Sequence, residues 1–270
     1  MRSHMDDSFS YDRYRAFLLE AEESHGIISF RDVYRLGEEA LEQRKRYLIL
    51  RHDIDFDVEA AHRMAQIEHE VGVSSTYAFL FSGGCSPLGR LERTLIHEMV
   101  AMDHDIALHF DWSLVQGKRP QDTENLVMAE RRMLEVAFNV TVHAISSHEP
   151  MRSQTAVELG GLIDTYAPPY TATCKYLSDS TRTWREAPIE QMLPRHDRIQ
   201  LLIHPIWWGE EDATWQQRLR DLASTRSVRN REYAESDIAK FSEGLKLRAA
   251  RDAKFDKVLR AGGGADENAR

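Results

Sequence analysis

Short apolar runs that end on carboxylate or imidazole side chains, each followed by a stretch of helical spacing, recur along this chain and constrain its fold more than any other feature. Tyr47-Leu48-Ile49-Leu50 runs into Arg51-His52-Asp53, which reads as a buried strand carrying polar groups at its C-terminal tip. Ala60, Met64, Ile67 and Val71 then recur at spacings of four, three and four before Gly72, the pattern of a helix stopped by glycine. Val73–Phe81 is rich in β-branched and aromatic residues and closes on Ser82-Gly83-Gly84. Leu88, Leu91, Leu95, Met99 and Met102 form a helical stripe, and Asp105–Phe110 is the next strand. Leu126, Ala129, Met133 and Val136 mark another helix, with Asp122 or Thr123 as its expected cap. Thr141–Ser147 and Ile199–Ile203 are later strands. Strand and helix alternate, so parallel strands with helices outside are expected.

Composition narrows the class. The 270 residues suit one large α/β domain. With 42% hydrophobic and 29% charged residues, a disordered chain is excluded. A net charge of −9 argues against nucleic acid as a partner. No apolar run approaches the roughly 18 residues of a membrane span, so no membrane insertion is expected. Cys85 and Cys174 stand far apart, outside any thiolate zinc spacing, which favours a reducing cytoplasm. The 12 histidines are the unusual count. A single catalytic domain is expected over 6–260, its core 47–208 and a helical region 209–260. Residues 1–5 read as a short leader and 261–270 as a flexible tail. The cluster Arg218, Arg220, Arg226, Arg229 and Arg231 reads as a solvated helical face.

Four polar strand ends then stand out in chain order: Asp53 with Asp55, His109, His148 and His204. Parallel α/β folds gather ligand sites at the C-terminal ends of strands, so one barrel mouth would collect them. Taken alone, Asp53, Asp55 and Asp57 could equally be a solvated loop or a helix cap, and a lone histidine is more often structural. Together, imidazole and carboxylate without thiolate suit a Zn²⁺-like divalent metal. A carboxylate and an imidazole left over would supply a base and an acid.

In these residues the sequence resembles the polysaccharide deacetylase family over roughly Tyr47–Trp208. That family's paired aspartates match Asp53 and Asp55, with Ile54 inserted. Its H-S/T-x-x-H motif is met by His104-Asp105-Ile106-Ala107-Leu108-His109 for the lead and first ligand, while the second ligand position falls on Ser113. His148, in Ser146-Ser147-His148-Glu149-Pro150, is the proposed substitute, as in a divergent branch with an R-H-D-x-D first motif; Asp111 or a water is the alternative. Pro169-Tyr170 resembles the Pro-Tyr motif, Asp179–Trp184 echoes D-x-x-D-W, and Leu201-Leu202-Ile203-His204 matches L-x-x-H.

The resemblance implies a distorted (β/α) barrel, here with extra C-terminal helices, that uses a divalent metal, foremost Zn²⁺, to remove N- or O-acetyl groups from sugars. Asp55, His109 and His148 would hold the metal, Asp53 would take the proton of the attacking water and His204 would protonate the departing amine. Arg51, Tyr170, Trp184 and Trp207 are the implied substrate contacts. Arg185 is a further cation to weigh, although a structural ion pair is the commoner fate of Arg51 and Arg185 alike. Without an export signal the expected substrate is a small acetylated amino sugar or nucleotide sugar, and the oligomeric state is left open. Two other readings are weighed. A degenerate deacetylase that binds carbohydrate without turnover accounts for Ser113. An HD-type phosphohydrolase accounts for the His52-Asp53, His104-Asp105 and His196-Asp197 doublets, but Tyr47–Leu50 is too short and aliphatic for its helical setting.

Overall fold

A computed structural model describes residues 8–149, 159 and 161–262. The residues up to Arg218 form one compact unit and those from Leu219 a second. The expected leader and the tail beyond 262 lie outside the described residues, while Ala261 and Gly262 continue the last helix.

In chain order the elements are α1 (Tyr11–Ser24), β1 (Ile27–Ile28), α2 (Phe30–Gln43), β2 (Tyr47–Ile54), α3 (Val58–Val71), β3 (Thr76–Leu80), α4 (Arg90–Ala101), β4 (Asp105–Phe110), α5 (Pro120–Phe138), β5 (Ala144–Ser147), β6 (Ile163–Asp164), β7 (Lys175–Ser178), β8 (Arg198–Ile203) and α6 (Trp215–Gly262). The eight strands pair in parallel in the order β6-β5-β4-β3-β2-β8-β7, with β1 on the N-terminal half of β2. This is a curled, partly closed (β/α) barrel, as the alternation and the resemblance imply. Edge strands β6 and β7 are joined through a short helical turn at Pro169–Thr173.

Period-two alternation sorts the side chains of each strand. Ile106, Leu108 and Phe110 of β4, with Phe79 and Ile54, join Ile96, Met99 and Leu134 of the helices in one core outside the sheet. Ala107 of β4, with Ala78, Ala144 and Ile49, points the other way into a core that fills the barrel. Small side chains there leave room for the larger Tyr47 and Tyr170 of the same cluster. Among the described residues no helix is long and apolar enough to cross a membrane.

Several boundaries differ from the sequence reading. β2 continues through Arg51, His52 and Asp53 to Ile54, every residue buried, so Asp53 lies within the strand and not past its tip. β3 begins at Thr76 and β5 at Ala144. Helix α5 is entered through Pro120 with Arg119 as its N-cap, without a side-chain cap from Asp122 or Thr123. The expected C-terminal helices are a single one, α6. Asp57 does cap α3, accepting from Glu59 N–H (3.0 Å) and Ala60 N–H (3.1 Å), and Gly72 ends it at φ 89°. That contact spends Asp57 on capping.

On the outer face of β2, His52 meets a fully buried carboxylate. Glu68 of α3 accepts from His52 Nε2 at 2.7 Å, Ser75 Oγ at 2.6 Å and the Tyr14 hydroxyl. Burial works to raise the Glu68 carboxyl, but His52, His104 and Ser75 outweigh it and bring it from 4.5 to about 2. The folded-state value lies below the unfolded one, so this stabilisation is complete above about pH 4.5 and is lost as pH falls toward 2. Glu68→Gln is therefore expected to cost about 3–5 kcal/mol at pH 7. In thermal unfolding scans from pH 6 to pH 2, the gap in Tm between wild type and variant should narrow; a constant gap would contradict the assignment.

Candidate metal centre and catalytic cavity

The inner phase of β2 builds one side of the site. Arg51 and Asp53 share it, and Asp55 follows two residues on, just past the strand end, while Ile54 joins the outer core. The inserted Ile54 is thus what keeps both aspartates on one face. The Ser82-Gly83-Gly84 loop fixes Asp55 from behind: Gly84 N–H donates to the Asp55 carbonyl at 2.9 Å, and a Cβ on Gly83 would lie 2.5 Å from that oxygen.

His109 closes β4, and His148 lies just beyond β5, its N–H donating to the Phe110 carbonyl at 2.8 Å. Asp55 Oδ1 is 3.1 Å from His109 Nε2 and 3.1 Å from His148 Nδ1, and the two ring nitrogens are 3.2 Å apart. His109 Nδ1 faces the Ser146 carbonyl at 3.0 Å. A carbonyl only accepts, so that nitrogen carries the hydrogen and a neutral ring turns the lone pair of Nε2 toward a carboxylate. Such an arrangement repels unless a metal cation or a proton is shared among the three atoms. Donors each about 2.0–2.1 Å from a tetrahedral zinc stand roughly 3.3 Å apart, close to the spacing found. The donor set and its spacing therefore fit a divalent ion. Although burial works the other way, His109 and His148 hold the Asp55 carboxyl far below the usual range, and Asp55 in turn raises His148.

Asp53 stands beside this trio. Its Oδ2 accepts from Ser146 Oγ at 2.8 Å, and its Oδ1, 3.3 Å from Arg51 Nε, has no hydrogen bond among the described residues. The fully buried Arg51 also donates to Thr165 Oγ1 and lies 4.7 Å over the Tyr166 ring. Breaking a pair buried this deeply costs about 3–5 kcal/mol, so Arg51 belongs to the framework that orients Asp53.

His204 approaches after β8. Its Nδ1 donates to Asp179 Oδ1 at 2.7 Å. Asp179, itself fully buried, also accepts the His204 N–H at 3.0 Å and Trp208 Nε1 at 2.9 Å. Burial pulls the imidazole down, but Asp179, Asp55 and Asp53 outweigh it and push it up to about 9.

Asp53, Asp55, His109, His148, His204 and Trp207 all line one cavity of about 710 Å³. Tyr166, Tyr176 and the exposed Arg185 line it too. Three expected substrate contacts do not: Arg51 is spent on Asp53, Tyr170 packs edge-on against Phe30 in the barrel interior (5.3 Å), and Trp184 stacks on Phe9 (5.8 Å). Ser113 is exposed on a turn, its N–H held by Asp111 Oδ1 at 2.9 Å, and neither residue reaches the trio. Sequence reasoning passed over Asp179 as the partner of His204, although it opens the Asp179–Trp184 stretch. Tyr166 follows the two-residue β6 and Tyr176 lies within the four-residue β7, strands too short for a periodic signal to mark them.

No protein family and no curated protein matches the sequence. Solved structures do. A CE4 family pseudoenzyme from Bacillus anthracis is 13% identical, over 68% of this chain and 62% of its own, with a TM-score of 0.44. The chitin deacetylase of the fungal pathogen Colletotrichum lindemuthianum is 13% identical, over 66% and 81%, at 0.41. Peptidoglycan deacetylase PdaC from Bacillus subtilis is 10% identical, over 69% and 95%, at 0.40. This chain spans less than two thirds of the length of the pseudoenzyme.

Proposed function

We propose that this protein is a divalent-metal-dependent hydrolase that removes an acyl group, foremost N-acetyl, from an amino sugar or a sugar-containing precursor. The reading rests on one observation: a carboxylate and an imidazole, each with its own buried partner, share a cavity with the Asp55–His109–His148 trio. A divalent ion held by those three residues, zinc being the best match, would supply Lewis-acid polarisation of a carbonyl and acidify water. Asp53 takes the proton of the attacking water. Arg51 and Ser146 keep that carboxylate in place. His204, protonated at neutral pH, gives its proton to the departing amine, and Asp179 holds the ring in the required orientation. Trp207, Tyr166 and Tyr176 offer aromatic surface to a sugar ring. Arg185 favours a substrate with an anionic substituent, such as a nucleotide sugar.

A second reading, carbohydrate binding without turnover, is favoured by Ser113, which stands on an exposed turn where the resembling family carries an imidazole. Acetate release from N-acetylated sugars and nucleotide sugars, with and without added Zn²⁺, separates the two. Zn²⁺-dependent release abolished by chelation is expected; a protein that holds stoichiometric metal and binds the sugar without release would favour the second reading.

Asp53→Asn is expected to lower kcat by roughly 10²- to 10⁴-fold while the metal stays bound, whereas His109→Ala should lose the metal. Full turnover by the Asn variant would remove Asp53 from its role. Since His204 must be protonated to act, kcat/KM is expected to hold to about pH 9 and to fall above it. In Asp179→Asn the alkaline limb should move to lower pH; an unmoved limb would detach it from His204.

A further inference from the structure

Among the described residues the second unit is a single helix that runs to Gly262, and large apolar side chains along it are exposed. Ile238, Phe241, Leu245 and Phe255 are 64%, 74%, 65% and 64% exposed. Read on a heptad repeat of 3.5 residues per turn, their spacings of three, four and ten place them at a and d positions of one narrow stripe. The stripe is interrupted only at the two positions that the repeat assigns between Leu245 and Phe255, and these are Arg248 and Asp252. Opposite charges there make the stripe self-complementary in one orientation alone.

We propose that this helix pairs with the same helix of a second copy, antiparallel and centred near Ala250. In that register Leu245 faces Phe255 of the partner subunit, and Arg248 faces the partner's Asp252. The two-fold axis repeats both layers, so each apolar side chain of the inner layers meets an apolar one and each charge an opposite charge. A parallel pair would set Arg248 against the partner's Arg248 and bury like charges together, which is costly. The inference is independent of the catalytic reading, because it uses no residue of the cavity.

Sedimentation of the full-length protein is expected to give a mass close to twice the 31.2 kDa chain. Arg248→Asp should weaken the dimer at least tenfold, and the exchanged pair R248D/D252R, which keeps composition constant, should restore it. Spin labels on Ser236→Cys in a Cys85→Ser background should lie roughly 40 Å apart across the dimer, given about 1.5 Å per residue. A monomer at every concentration, whether from a helix folded back on its own chain or left solvated, would overturn the proposal. So would failure of the exchanged pair to restore association, or the short label distance of a parallel pair.

Discussion

Three atoms that could hold a metal ion, Asp55 Oδ1, His109 Nε2 and His148 Nδ1, lie 3.1–3.2 Å from one another, and His109 Nδ1 faces the Ser146 carbonyl. Electrostatics asks for a positive charge at their centre. The neighbouring groups are arranged around the same demand. Ser146 gives its carbonyl to His109 and its hydroxyl to Asp53, so one residue of β5 sets both a ligand and the proposed base. The Gly83–Gly84 loop, packed onto the Asp55 carbonyl, holds the third donor from the opposite side.

Asp53 and His204 are each balanced by a partner outside the donor trio. Arg51 answers Asp53, and Asp179 answers His204. The first pair sets a guanidinium against a buried carboxyl group, and the second keeps an imidazole charged there. The proposed base and the proposed acid thus share a cavity of about 710 Å³, each held by its own partner.

Much of this was legible from alternation. Strand β4 matches its apolar run residue for residue, Gly72 ends α3 and Asp57 caps it, because each depends on local backbone chemistry. What escaped depends on tertiary partners. Arg51, His52 and Asp53 read as the polar tip of the strand, yet they lie buried within β2 because Glu68 on one face and the Arg51–Asp53 pair on the other satisfy their charge. The same cause took Arg51 out of the substrate set. Tyr170 was placed at the groove by a motif whose backbone turn is present at Pro169–Thr173, but the small Ala78, Ala107 and Ala144 open a space inside the barrel and the ring fills it. The segments before Tyr47, with α1, β1 and α2, carried no polar strand end and went unread. Among the site residues, Asp53, Asp55, His109, His148 and His204 share one cavity because parallel strands deliver their C-terminal ends to one mouth. Asp179 and Tyr166 come from irregular segments and Tyr176 from a four-residue strand, where spacing carries little information.

The most direct measurement is X-ray absorption at the zinc edge on protein loaded with one equivalent of Zn²⁺. Two imidazole nitrogens and a carboxylate oxygen at about 2.0–2.2 Å are expected, with one imidazole lost in His148→Ala. A first shell without imidazole, or a spectrum unchanged in that variant, would contradict the account.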